Sequence, residues 1–240
     1  ERYAGTPLLW NANVFGDERG AAEVPPSAAP TTFEHSEWVR FNSDQAFQDW
    51  TRFKVGAALQ LLQQQGGENP TVAVLGCGSG LAVHLLAMQG ISAVGVERDP
   101  KHVALAMQFA EQHAKRAGYP GPAPRFEVQA ELRTLPLDDN SAAVACLFDR
   151  MEAHDNPVSL IREAQRIAGD TGTVLAISKC VPLNHDQPLA PYHPYLPKQL
   201  ASQIKAVTGW PTTVELLPEQ PGQPIVVCAT GREAAVAQPA

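Results

Sequence analysis

The run VAVLGCGSG, residues 72–80, sets three glycines at alternate positions directly after four apolar residues, and apolar sequence resumes at Leu81. Val72 to Leu75 read as a fully buried strand and Leu81 to Gln89 as a helix, so the glycines occupy a strand-to-helix turn. Gly76 permits a turn that a side chain would block. Gly78 and Gly80 leave bare main chain, with Cys77 between them, against which a ligand can lie near a helix N-terminus. Ser79 is placed to cap that helix. A second apolar run, Ile91 to Val96, ends in Glu97, seventeen residues after Gly80. A carboxylate at the end of the second strand of such a unit can accept both hydroxyls of a ribose. The loop and the acid together predict an adenosine-containing cofactor.

The rest of the chain supplies the layers that such a loop needs. Residues 1–32 carry Pro25, Pro26 and Pro30 in an Ala/Pro-rich stretch that cannot be one continuous element. Phe33, Trp38, Phe41, Phe47, Trp50 and Phe53 then lead into a helix that Gly66 and Gly67 end. These aromatics either pack the helix on a sheet or cover a ligand cleft. Asp99 and Pro100 open a helix with an expected apolar face of Val103, Met107, Ala110, Ala114 and Ala117. Strands are predicted at 125–129, 142–148 and 173–178. Asn156 and Pro157 open a helix between the last two, with Leu160, Ile161, Ala164, Ile167 and Ala168 inward. After the loop 181–197, a helix with Leu200, Ile204 and Val207 inward ends at Gly209, and two strands, 212–217 and 224–230, finish the fold. Alternating strands and helices imply a three-layer, doubly wound α/β fold with a mostly parallel seven-stranded sheet. The expected division is an arm and helical lid over 1–66, a cofactor-binding core over 67–232 and a tail over 233–240.

Composition narrows the partners. The chain has 240 residues, 44% of them hydrophobic, a net charge of −7 and six lysines, with no window rich in Lys or Arg. Nucleic acid is not an expected partner. No apolar run reaches the roughly 18 residues of a membrane span, and the first residues lack a basic region and an apolar core. A soluble, cytoplasmic protein is expected, with the start at Glu1 pointing to a longer precursor. Cys77, Cys146, Cys180 and Cys228 are widely spaced, so buried thiols are expected, with no disulfide and no metal.

The choice among adenosine cofactors turns on position 81. Dehydrogenases use G-x-G-x-x-G, and Leu81 stands where their third glycine belongs. The observed G-x-G-x-G resembles the first motif of the class I S-adenosylmethionine-dependent methyltransferases. The resemblance extends over about residues 72–178. LPLDDNSAAVACLF (135–148) is similar to the family's L-P-F-x-D-x-S-F-D-x-V, and 149–178 is similar to its R-x-x-x-H-x-x-D-P followed by L-R-E-x-x-R-x-L-x-P-G-G-x-L. Gly172 matches the second glycine of that pair and Asp170 replaces its proline. The resemblance implies the Rossmann-like methyltransferase fold, S-adenosylmethionine as cofactor and S-adenosylhomocysteine as product. It implies cofactor contacts from Gly76, Cys77, Gly78, Ser79, Gly80, Glu97, Arg98 and Phe148, with Gln129, Ala130 and Glu131 near the adenine. One departure stands out: the family usually has an acid two residues before the first loop glycine, near the methionine ammonium, and this chain has Val74.

Methyl transfer from a sulfonium asks a protein to align the reactants and exclude water. Where the acceptor is a hydroxyl, a general base helps, and His154, His185 and His193 are the candidates; the plain alternative for each is a surface or packing histidine. Trp38, Trp50, Arg150 and Tyr192 are expected on the acceptor side. The expected reaction is O-, N- or C-methylation of an aromatic or natural-product-like small molecule, with a homodimer left open. Alternatives are a cofactor-binding protein without methyl transfer, which Val74 keeps in view, and a protein methyltransferase.

Overall fold

The computed structural model describes residues 38, 41–65, 70–115, 121–130, 134–149, 157–179, 197–216 and 224–231. Its helices are α1 (Gln45–Gln65), α2 (Leu81–Met88), α3 (Pro100–Ala114), α4 (Pro157–Ala168) and α5 (Pro197–Thr208). The strands are β1 (Thr71–Leu75), β2 (Ser92–Glu97), β3 (Arg125–Val128), β4 (Val144–Phe148), β5 (Thr173–Lys179), β6 (Thr212–Leu216) and β7 (Pro224–Thr230). They form one seven-stranded sheet in the order β3-β2-β1-β4-β5-β7-β6.

The first five strands pair in parallel, and β7 runs antiparallel between β5 and β6. The last strand, β7, therefore lies inside the sheet, and β6 holds the edge. The sequences explain why: PIVVCAT is apolar enough to sit between two neighbours, whereas TTVEL mixes polar residues into its run.

Alternate side chains along the central strands feed two separate cores. Ala73, Leu75, Ala145, Leu147, Val174 and Ala176 meet Leu160, Ile161, Ala164 and Ile167 of α4 and Leu200 and Ile204 of α5. Val72, Val74, Val144, Cys146, Leu175 and Ile177 meet α1, α2 and Phe109 of α3. Val103 and Ala110 of α3 are buried as expected, but Met107 is 49% exposed. The buried stripe runs through Val103, Ala106, Phe109 and Ala110 instead. Both stripes obey helical spacing, and the bulk of Phe109 selects the second.

The chain leaves β1 toward β2 and β3 on one side and returns to β4 on the other. The order therefore reverses between β1 and β4, and in open α/β sheets the crevice beyond the strand ends at such a point is where ligands bind. Helix α1 crosses the sheet on the β4 and β5 side of this point. Its N-terminal half reaches the carboxyl edge at Asp149, and its last residue, Gln65, donates to Thr173 Oγ1 at 2.6 Å at the opposite edge. Among the described residues no helix is long and apolar enough to cross a membrane.

Candidate functional site

The glycine loop leaves β1 on the β2 side of the reversal. Gly76, Gly78 and Gly80 have φ of 70°, 59° and 82°, all in the left-handed region that disfavours a side chain. The N–H groups of Gly76 and Cys77 donate to the Val96 carbonyl at 2.7 and 3.0 Å, which ties the loop to the end of β2. Gly78 N–H donates to Glu97 Oε2 at 2.8 Å. Gly80 occupies the N-cap of α2, and no side chain caps that helix, so the cap expected of Ser79 is not formed. Ser79 is buried, and its carbonyl accepts the Trp38 indole N–H at 3.3 Å. Trp38 stacks on Phe109 with centroids 4.3 Å apart and meets His84 edge-on. An aromatic from the N-terminal segment is thereby fixed against the loop.

Glu97 is 5% exposed and turned toward the loop. Its other oxygen accepts from Arg98 N–H at 2.9 Å and Asp99 N–H at 3.3 Å, so three main-chain donors set the plane of the carboxylate. The Arg98 side chain is exposed. Asp99 caps α3 as expected, its Oδ1 accepting from Lys101 N–H at 2.9 Å. After β3, Gln129 N–H donates to the Glu97 carbonyl at 2.9 Å and its side-chain amide to the Thr134 carbonyl. This brings the 129–130 segment beside the end of β2, with Ala130 exposed.

Across the reversal stands the end of β4. Phe148 is buried, and Asp149 takes a φ of 52°, unusual for a residue with a side chain. Asp149 Oδ2 accepts from Lys54 Nζ at 2.6 Å and from Trp50 Nε1 at 3.0 Å, both on α1. Lys54 is 9% exposed and lies 5.6 Å from the Trp50 ring centroid and 5.9 Å from that of Phe148. Asp149 and Lys54 are not among the site residues expected from the sequence. Two signals were present: an acid directly after an apolar strand, and a lysine four residues beyond Trp50 on the helix face that continues through Ala58 and Leu62.

Glu131, Arg150, His154, His185, Tyr192 and His193 lie outside the described residues, as does Cys180. Cys77 and Cys146 are buried thiols, and Cys228 is a partly buried one. Burial, and after it the neighbouring Cys228, pushes the Cys146 thiol well above its ordinary range.

An adenosine sulfonium fits these residues. Left-handed glycines keep the loop narrow, and an acceptor-only carboxylate oriented by the loop itself suits a ribose. Glu97 and the loop would hold the ribose and the amino-acid end. Residues 73–176 match the family model described as a methyltransferase domain. No curated protein matches the chain. Similar solved structures include magnesium protoporphyrin IX methyltransferase (ChlM) from Synechocystis PCC 6803 with bound S-adenosylhomocysteine. It is 16% identical, with 82% of this chain and 94% of that one covered at a TM-score of 0.64. A methyltransferase from Aquifex aeolicus is 17% identical, with 71% and 87% covered at 0.53. The (4+2)-cyclase SpnF is 15% identical, with 75% and 80% covered at 0.63. At such identities these structures speak for the fold alone. Over residues 73–176 the chain is similar to the methyltransferase domain.

Proposed function

We propose that this chain is an S-adenosylmethionine-dependent methyltransferase that acts on a small-molecule acceptor, aromatic or natural-product-like, in a cytoplasmic setting. The observation that carries the reading is the wall at the end of β4, the strand next to the one that feeds the glycine loop. It is built from Trp50, Phe148 and the Lys54–Asp149 pair rather than from a basic surface, in a chain of net charge −7. Such a wall suits a compact, partly apolar acceptor better than a polyanion.

S-adenosylmethionine supplies the activated methyl group. The protein's residues have to bind and orient it, exclude water and, for a hydroxyl acceptor, take up a proton. We assign the cofactor to Gly76–Gly80, Glu97, Arg98, the segment 129–131 and Phe148. The acceptor side falls to Trp50, Arg150 and Tyr192, with Trp38 at the loop end of that wall. The general base is His154, His185 or His193. Helix α1, placed with the lid by the sequence, packs its inner face into the core and carries Trp50 and Lys54 to the end of β4.

Calorimetry with S-adenosylhomocysteine tests the cofactor half. Glu97→Ala should weaken binding by about 1.5–3 kcal/mol, the range for hydrogen bonds to a charged group. Unchanged affinity would remove Glu97 from the site. Transfer of labelled methyl to a panel of phenols, amines and activated carbon acids tests the acceptor class, and labelling of protein substrates alone would overturn it. The fold of SpnF supports a second reading, in which this chain binds the cofactor but catalyses another reaction. Tight S-adenosylhomocysteine binding with no transfer to any acceptor is the outcome expected of that reading.

A further inference from the structure

Resting on the cofactor assignment above, we propose that Asp149 receives the ammonium of the cofactor's amino-acid end, with Lys54 and Trp50 as positioning residues that aim its carboxylate. An ammonium carries three donors and no acceptor, so it needs oxygen acceptors, and a carboxylate serves best where water is excluded. The position two residues before the first loop glycine offers none: Val74 is 2% exposed and belongs to the apolar core. Among the described residues, the acids at the end of β2 are committed elsewhere. Glu97 is oriented by three main-chain donors at the ribose position, and Asp99 caps α3.

Asp149 stands on the correct side of the crevice. Val74 pairs with Cys146, so Gly76 is level with Phe148 and Asp149 is level with Cys77 on the adjacent strand. Adjacent strands are about 4.8 Å apart, and the gap opens as the loop turns away from the sheet. The end of β4 thus lies on the strand next to the one that feeds the loop, on the side from which the loop turns away. Asp149 Oδ2 carries both bonds from α1, and Oδ1 accepts no hydrogen bond among the described residues. The side chain is 33% exposed, whereas that of Lys54 is 11% exposed. One oxygen is pinned and the other is offered. Holding a non-glycine residue at a φ of 52° stores strain, which surrounding structure has to support. Here the support is the Ile177 carbonyl, which accepts Asp149 N–H at 2.8 Å, together with the two bonds from α1.

Two ligands separate this role from a structural one. S-adenosylhomocysteine has the amino-acid end, and 5′-methylthioadenosine lacks it. Asn and Gly are at home in the left-handed region, so Asp149→Asn and Asp149→Gly keep the backbone while removing the charge. By calorimetry, both variants should lose at least tenfold in affinity for S-adenosylhomocysteine and stay within twofold of wild type for 5′-methylthioadenosine. An S-adenosylhomocysteine analogue without its α-amino group should bind wild type and Asp149→Asn alike. Equal losses for the two natural ligands, or no loss for either, overturn the proposal while leaving the cofactor assignment standing. A wild-type protein that binds neither ligand overturns the cofactor assignment itself.

Discussion

Gly80 and Gly95 lie against the same aromatic ring. A Cβ on Gly80 would stand 2.6 Å from Phe126 Cε1 and 2.7 Å from Ala106 Cβ; one on Gly95 would stand 2.6 Å from Cys77 Sγ and 2.9 Å from Phe126 Cδ1. These glycines let the β3 phenylalanine press against the loop that β1 feeds. Gly95→Ala should lower stability by about 1–3 kcal/mol, the usual penalty for overpacking. A urea midpoint that falls at unchanged slope is the expected signature, and an unshifted midpoint would show that Phe126 and Cys77 give way freely. At this scale the sequence was half legible. Spacing identified the glycines and Glu97, because a loop and the acid after the next strand are a local pattern. It gave no hint that Gly80 is also a packing residue, or that Lys54 meets Asp149, since the latter pair is separated by 95 positions and joined only by the fold.

The segment before β4 and helix α4 are bound to each other by one arginine and one glutamate. Arg166 donates to the Leu137 and Leu135 carbonyls at 2.7 and 3.1 Å and pairs with Asp139 and Glu163, both at 2.7 Å. Glu163 in turn accepts Leu135 N–H at 2.8 Å. Two stretches that the sequence offered as separate family-like motifs, LPLDD and REAQR, are therefore partners across one contact. It fixes how the chain enters β4 and hence where Asp149 emerges. Burial raises the Glu163 carboxyl, but the Arg166 bond, the Leu135 N–H and the guanidinium charge outweigh it and hold the group below its ordinary value. A carboxyl whose folded value is depressed contributes fully above its unfolded value, about 4.3 for Glu, and loses that contribution as pH falls through the folded one. Glu163→Gln should destabilise the protein by about 1.5–3 kcal/mol at pH 7. Denaturation at a series of pH values should show the gap to wild type narrowing below about pH 4, again on the ordinary carboxyl value. A gap of constant size would mean that the contact acts through shape and not charge.

In the molecule as a whole, the crevice is assembled from parts that meet only after the sheet forms. The loop comes from β1, its acid from β2, the opposing acid from β4, and the lysine and tryptophan that orient it from α1, which is itself part of the core shared by β1, β4 and β5. The sequence announced the alternation of strands and helices, so the layers and the parallel sheet could be read. The position of β7 inside the sheet could not, because an apolar strand at the end of a chain fits an edge or an interior place until its neighbours are known. A site built this way binds its ligand only in the folded state, so ligand and stability are linked. At S-adenosylhomocysteine concentrations of about a hundred times Kd, the native state gains about 2.7 kcal/mol. For a chain of this size that corresponds to a rise in Tm of roughly 5–10 °C. Differential scanning fluorimetry should show this rise with S-adenosylhomocysteine and none with NAD, whose pyrophosphate the loop with Leu81 is not shaped to accept. Glu97→Ala at the same ligand concentration should recover only a fraction of the shift, because the concentration then stands far fewer multiples above its weakened Kd. A rise with NAD equal to that with S-adenosylhomocysteine would mean that the loop selects adenosine alone, and the sulfonium specificity would have to come from the β4 side of the crevice.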